Sequence, residues 1–473
     1  MLTTVTDLDG LAAGLTGSLL RPQDPQFSHL RRLFRGRPGD EVLPRAVVRC
    51  ADPADVADAV QFARAHRLPF AVRSGGHSFA DFCTTGGLLI DLGQLDSVDL
   101  DGEVVTVGPG IRLGPLADRL AAHDRVLPCG WNPLVAMGGV VLGGGYGMLS
   151  RHFGLGCDHL LAAQVVLADG SIVWSDERRE PDLFWALRGA GWAGFGVVTT
   201  LVLRTFPAPR VATFVHHWPW RSVTAVIDAW QRWAPKAPDR LNAELVLQQG
   251  DSDQEPRVTL FGAMVGDAAT TRPLLEEFLA RVGTGDDLEE LTELSARTGA
   301  RRHTYAGKPV MASVPARVPP EFRPWLRVVK SEFFARPLRW EAIEALVTGF
   351  TADRAAGQYR ELELIPWGGA FQRVHPAATA FVHRTPQFQI GHHGIVRGGA
   401  TPEEEQAIHA WVNRSWQAVH PGASGGVYPN YPDADLVGWA RAYYGDNLPR
   451  LTRVKARYDP DGVFRSAQSV PLH

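Results

Sequence analysis

Arg73-Ser-Gly-Gly-His-Ser78 follows the apolar run Leu68-Pro-Phe-Ala-Val72, which has the length of one buried strand. Its two glycines open backbone conformations that a Cβ forbids, so the segment reads as a tight turn leaving a strand. Successive amides in such a turn converge on phosphate oxygens. Arg73 would add positive charge, and His77 is carried outward as a nucleophile or hydrogen-bonding group. Alone, the hexapeptide reads more simply as a Gly-Gly turn with an exposed histidine. The rest of the chain overturns that reading.

Upstream, residues 1–50 read as a short helix and a polar, proline-containing approach. Asp52-Pro53 then offers a cap and a first-turn proline, with Val56, Ala59, Val60 and Ala63 at helical spacing up to about His66. Downstream come strand runs Leu88–Leu92 and Val104–Val107, Gly108-Pro-Gly110, and a helix near Pro115–His123. To this point the pattern alternates α and β. The run Met137-Gly-Gly-Val-Val-Leu-Gly-Gly-Gly-Tyr-Gly147 is too rich in glycine for a good helix or strand. Its interleaved Val140, Val141, Leu142, Tyr146 and Met148 are too apolar for a linker. It reads as backbone stripped of Cβ atoms so that a planar or pyrophosphate-bearing ligand can lie against it. Neither this run nor the turn matches G-x-G-x-x-G or a phosphate loop ending in Gly-Lys-Ser/Thr, so a Rossmann or P-loop fold is not indicated. Beyond it, Leu161–Asp169 and Ile172–Trp174 flank the hairpin signal Asp169-Gly170. Asp182–Leu187 is apolar at helical spacing, glycines recur at 189, 191, 194 and 196, and Val197–Leu203 is a β-branched strand stopped by Pro207.

Composition limits the function classes. The chain has 473 residues, 45% hydrophobic and 21% charged, enough for two or three cores. A net charge of −3 and no Lys/Arg stripe exclude nucleic acid as the expected partner. Asp7 and Asp9 spoil a signal peptide, and no run reaches the length of a membrane span, so no membrane partner and a cytoplasmic location are expected. Cys50, Cys83, Cys129 and Cys157 lack C-x-x-C spacing and read as buried thiols. His216-His217 and His392-His393 are strand neighbours pointing to opposite faces, so neither pair chelates one ion and no metal is expected.

The motif at 73–78, then Gly138-Gly-x-x-Leu-Gly-Gly-Gly-Tyr-Gly-x-Leu-Ser-Arg151, Asp182-Leu-Phe-Trp-Ala-Leu-Arg188-Gly and Gly194-Phe-Gly-Val-Val-Thr199 occur in this order. The ending adds Tyr428-Pro-Asn-Tyr-Pro-Asp433, Ala442-Tyr-Tyr-Gly445, Asn447, Arg450-Leu451, Val454-Lys455, Tyr458-Asp-Pro460 and Val463-Phe-Arg465. Together they resemble the berberine bridge enzyme-like FAD-linked oxidases, within the wider vanillyl-alcohol oxidase and p-cresol methylhydroxylase group. The resemblance implies an α+β fold. A two-part FAD-binding domain of the p-cresol methylhydroxylase type is built from residues 1–206 and 420–473, around a substrate domain at 207–419 with an antiparallel sheet backed by helices. That middle region offers helix candidates at Val223–Trp233 and Thr271–Val282, a strand at Val258–Met264 and an Arg/Pro-rich loop near 315–327.

The resemblance further implies FAD bonded to His77, with an imidazole nitrogen adding at the flavin 8-methyl position. Where relatives carry a second, cysteine attachment, this chain has Asn132; Cys129, three residues upstream, reads as a buried thiol. One covalent bond is therefore expected. The implied cofactor-binding set is Arg73, Ser74, Gly75, Gly76, His77 and Ser78, then Val135, Gly138, Gly139, Gly143, Gly144, Gly145, Tyr146 and Gly147, and finally Gly196, Val197, Val198 and Asn430. Val135 stands where relatives set oxygen access, and valine favours an oxidase. Tyr428 is the first choice of catalytic base, Tyr431 the second, and His392 a substrate-facing polar group. A nearby cation or hydrogen bonds would have to favour the phenolate of such a tyrosine. Phe79 and Phe153 replace tyrosines of plant relatives and suggest an apolar pocket. The expected reaction takes hydride from a C–H beside a hydroxyl or amine of a small molecule, with O2 as final acceptor and H2O2 as product. A carbohydrate oxidase, or a flavoprotein that only binds a hydrophobic ligand, are the alternatives.

Overall fold

Asp52 caps the helix Pro53–Ala65 by accepting the Asp55 amide, with Pro53 fixing the first turn. The computed structural model describes residues 8–31, 33, 42–250, 255–285, 288–296 and 326–472. The apolar stripe Val56, Ala59, Val60 and Ala63 packs on Ala46, Val48, Leu88 and Ile90 of a four-stranded sheet. Its strands are β1 (Ser18–Leu20), β2 (Ala46–Arg49), β3 (Phe70–Arg73) and β4 (Leu88–Asp91), in the order β1-β2-β4-β3. β2 and β3 both run parallel to β4, so the capped helix is a crossover. The Arg73–Ser78 turn leaves the end of β3, and Gly76 takes φ +71°, a conformation that favours glycine.

A second sheet, wholly antiparallel, has the order β5-β6-β10-β8-β9. It is formed by β5 (Val98–Asp101), β6 (Val104–Val107), β8 (Leu160–Val166), β9 (Ile172–Asp176) and β10 (Val197–Arg204). The two strand runs read at Leu88–Leu92 and Val104–Val107, β4 and β6, thus belong to different sheets. A two-residue pairing of β7 (Arg125–Val126) with β11 (Phe206–Pro207) lies beside it. The helix Leu448–Tyr458 packs Leu451, Val454 and Tyr458 into the same core as Leu183, Phe184 and Leu187 of the helix Pro181–Ala190. Lys455 fastens this join, its ammonium donating to Asp459 and to the carbonyls of Gly194 and Phe464. Residues from both ends of the chain therefore share one core.

The third sheet is antiparallel and seven-stranded, ordered β15-β12-β14-β13-β17-β18-β16. Its strands are β12 (Val211–Trp218), β13 (Leu241–Gln249), β14 (Arg257–Val265), β15 (Glu290–Leu294), β16 (Leu326–Phe334), β17 (Gln358–Pro366) and β18 (Phe388–Val396). Helices Val223–Trp233, Ala268–Val282, Trp340–Thr351 and Pro402–Val419 cover one face, burying Leu245, Leu362, Leu364 and Ile390. Of the stretch read as an Arg/Pro-rich loop, residues 315–325 lie outside the described residues, whereas Leu326 and Arg327 open β16. The fully buried Arg384 grips Asp158 through two bonds of 2.8 and 2.7 Å, tying the segment before β18 to the turn before β8. No helix of the described residues is long and apolar enough to cross a membrane. The architecture is α+β.

Candidate active site

A cavity of about 350 Å³ lies against the Arg73–Ser78 turn. Ser74, Gly75, Gly76, His77 and Ser78 form one wall; Val135, Gly138, Gly139, Tyr146, Gly196, Val197 and Val198 continue it, and Tyr428, Asn430 and Tyr431 close it. Phe464, Arg465, Ser466 and Ser469 contribute the far end and Asn132 the rim; Cys83, expected as a buried thiol, is half-buried and lines the cavity, and desolvation pushes its thiol up to about 11.

Two readings of the glycine run need correction. Met137–Leu142 is a short helix after all. The close approach outweighs propensity: a Cβ on Gly138 would stand 2.5 Å from Ser74 Oγ, and one on Gly75 would stand 2.8 Å from the Ala136 Cβ. Gly139 has nothing within 4 Å of its missing Cβ and opens on the cavity. By contrast Gly143, Gly144, Gly145 and Gly147 do not line it. Their absent side chains admit Asn430, Tyr428, the Cys129 sulfur and Gly130, so these glycines pack protein on protein. Arg73 is also turned away from the cavity wall, its guanidinium bonded to Asp91, its register partner on β4, at 2.9 and 2.8 Å. Cys129 is buried against Gly145 and Gly156 with its thiol pKa pushed up by burial, and it does not line the cavity.

The two tyrosines of the Tyr428-Pro-Asn-Tyr431 segment differ in what their oxygens meet. The Tyr428 oxygen accepts from the amides of Gly145 and Tyr146 and from Asn430 Nδ2, each at 3.1 Å. These three donors anchor the glycine run on Tyr428 and favour its phenolate, against burial, which disfavours it. Tyr431 donates to Glu363 Oε2 at 3.1 Å. Burial raises the pKa of both phenols; for Tyr431 the nearby Arg327 offsets only part of the rise. For both phenols burial favours the protonated form. Tyr431 can take a proton only by passing its own to Glu363.

Period-two alternation places Tyr359, Glu361 and Glu363 on the face of β17 away from the helices, and Gln389, Gly391 and His393 on the same face of β18. Tyr431 and Phe79 rings pack over His393, with centroids 5.7 and 6.4 Å away, and Arg327 lies over Phe79 at 5.2 Å. Gln248 and Tyr359 donate to Glu361 Oε2 at 3.2 and 3.1 Å. His392 is on the opposite face: it is fully buried, bonds Ser415 of the covering helix at 2.8 Å, and burial lowers its pKa to about 3. It points toward the covering helix and does not line the cavity, whereas His393 points to the opposite face of the sheet. Phe153 likewise stacks on Phe206 at 4.5 Å and stays outside the cavity, while Phe79 lines it.

Sequence reading thus missed Arg327, Glu361, Glu363 and His393. The signal for the two carboxylates was Glu361 and Glu363 alternating with Leu362 and Leu364. Donor atoms of Glu361, Glu363 and His393 lie within 4.8 Å of one another, a constellation that the His-His argument did not reach. Arg327, 4.0 Å from Glu361 and 3.0 Å from His393, already places a fixed cation beside them.

Comparison with known proteins agrees with the geometry. Residues 44–176 match the family model described as FAD binding domain, and residues 427–471 match the one described as berberine and berberine like. The chain is 31% identical to the uncharacterized FAD-linked oxidoreductase YvdP of Bacillus subtilis, over 97% of this chain and 98% of that one. It is 30% identical to the aclacinomycin-N/aclacinomycin-A oxidase of Streptomyces galilaeus, over 98% and 91%. A solved structure of glucooligosaccharide oxidase from Acremonium strictum, described with a 6-S-cysteinyl, 8α-N1-histidyl FAD, superposes with a TM-score of 0.85. It shares 26% identity over 98% of this chain and 99% of that one. The cavity suits FAD: the open space at Gly139 would be filled by a Cβ, and His77 and the turn backbone line the wall. The chain belongs to the berberine bridge enzyme-like family and is an FAD-linked oxidase.

Proposed function

We propose that the protein oxidises a carbon bearing a hydroxyl or amine in a small molecule, with FAD bonded to His77 alone. The observation that carries this reading is the Tyr431 hydroxyl, 3.1 Å from Glu363 and in the wall of the cavity that His77 also lines. When bound, FAD supplies the acceptor for the substrate's hydride, and O2 then takes the two electrons to give H2O2. The protein's part is the proton. As the substrate C–H electron pair departs, the substrate O–H proton passes to the Tyr431 oxygen and the Tyr431 proton passes to Glu363, leaving a carbonyl product. Asn132 lines the rim without a sulfur, which supports a single attachment. Ser74 to Ser78, Gly138, Gly139, Val197 and Val198 are the cofactor contacts on this reading. The division at 206 and 419, and the cytoplasm as compartment, belong to the same proposal; the four free cysteines suit a reducing environment.

Within this reaction class, a sugar is the second substrate type. As expected from Phe79, the wall carries apolar groups, Phe79, Phe82, Trp192 and Ile365, beside Arg327 and Tyr431; Gln248, Glu361, Glu363 and His393 do not line it. The relatives named for aclacinomycin and for a glucooligosaccharide frame the two substrate types, natural products and saccharides. Peroxide release across a panel of oligosaccharides and hydroxylated aromatic compounds tests the proposal. Turnover that disappears in Tyr431→Phe supports it; a flavoprotein that yields no peroxide with any of them is a binder.

A further inference from the structure

Gly391 stands two residues before His393 on the same face of β18, and a Cβ built there would come within 2.7 Å of His393 Nε2. The imidazole is folded back over this glycine, which is the register partner of Glu363 on β17. That fold brings Nε2 to 3.5 Å from Glu363 Oε2, the same oxygen that accepts from Tyr431. The other ring nitrogen, Nδ1, lies 3.0 Å from Nη2 of Arg327 on β16. A guanidinium can only donate, so Nδ1 accepts and carries no proton. In neutral imidazole the single ring proton is then on Nε2, facing the carboxylate.

We propose that His393 is a positioning residue, locked by Arg327 as the neutral Nε2–H tautomer and seated by Gly391, so that its N–H faces Glu363 at 3.5 Å and favours the ionised carboxylate that receives the Tyr431 proton. Its meaning for catalysis rests on the proton path proposed above; the tautomer does not. The charged and titratable groups facing the ring are Arg327 from β16, Glu361 and Glu363 from β17, and Tyr431 from the C-terminal segment. The guanidinium opposes a second ring proton and the two carboxylates favour one. Removing Arg327 leaves the carboxylates unopposed.

Magnetic resonance of the FAD-loaded protein carrying isotope-labelled histidine tests this without any substrate. The His393 ring nitrogens are identified by their loss in His393→Gln or His393→Asn. The expected wild-type signature is one protonated and one bare nitrogen, with the proton on Nε2, unchanged from about pH 8 to about pH 6 across the ordinary histidine range. Arg327→Met should protonate both nitrogens at neutral pH, and Arg327→Lys should restore the neutral ring at least in part. Gly391→Ala should weaken the Nε2–H signature and slow flavin reduction up to about a hundredfold by misplacing Glu363. A wild-type proton on Nδ1, a doubly protonated wild-type ring at neutral pH, or an Arg327→Met spectrum identical to wild type overturns the assignment. If Tyr431→Phe keeps full rate while these signatures hold, the proton path fails and the tautomer stands, so the two failures are separable.

Discussion

Phenylalanine at 431 and, separately, at 428 removes one oxygen from each of two rings whose centroids are 5.4 Å apart, with opposite consequences. In Tyr431→Phe the substrate proton loses its path to Glu363. General acid–base groups contribute about 10²–10⁴ in rate, which corresponds to about 3–5 kcal/mol of transition-state stabilisation. Stability should fall only modestly, because Glu363 keeps its contact with His393. In Tyr428→Phe the buried amides of Gly145 and Tyr146 lose their acceptor. Each such loss costs about 1–3 kcal/mol. Asn430 retains Val140 as an acceptor at 2.9 Å. Urea unfolding followed by the flavin's visible absorbance reads the stability of both variants. Rapid mixing with an active substrate from the peroxide screen, without O2, reads the rate of flavin reduction. Tyr428→Phe should be the less stable protein and Tyr431→Phe the slower one. The reverse order, with reduction collapsing in a fully stable Tyr428→Phe and unaffected in Tyr431→Phe, would refute the assignment of anchor and relay.

Three further outcomes are expected. Mass spectrometry of denatured protein should show one FAD retained in wild type, Asn132→Ala and Cys129→Ala, and lost in His77→Ala; retention in His77→Ala places the bond elsewhere. Asp158→Asn leaves the buried Arg384 guanidinium without its carboxylate and should cost about 3–5 kcal/mol in urea; a midpoint equal to wild type means the two segments are not held by this pair. Finally, His392, whose pKa burial lowers to about 3, stays neutral in the folded chain where the unfolded chain takes up a proton. Its contribution is therefore intact above the ordinary histidine pKa near 6.5 and is lost as pH falls from there toward 3. The stability of His392→Asn should approach that of wild type as pH is lowered through this window; a constant difference would mean that His392 does not titrate.

Much of the cofactor side was legible because it rests on backbone requirements. The strand end at Arg73, the Gly-Gly turn, the capped helix after Asp52 and the apolar stripe of Val223–Trp233 each leave a local pattern. What glycine meets is not local: Gly139 faces the cavity while Gly143 faces Asn430, and nothing in the run itself separates them. Arg73 looked like a phosphate ligand because its partner Asp91 is on another strand. The substrate side was obscure for a related reason. Alternation sorted His392 from His393 correctly, yet which face turns toward the cavity depends on where the helix Pro402–Val419 packs. Glu361 and Glu363 are buried only because β18 and the Tyr431 segment come over them from elsewhere in the chain. The tyrosines of Tyr428-Pro-Asn-Tyr431 are the same residue type in one short segment, and only their partners tell them apart.

The cavity needs Ser74 to Ser78 for one wall and Phe464 to Ser469 for another. During translation the first of these is made hundreds of residues before the second. A nascent chain consequently cannot retain the dinucleotide in a finished pocket until residues 464–469 have been made and have emerged. A premature stop at any codon between the two walls would yield a colourless product, however well its central sheet had assembled.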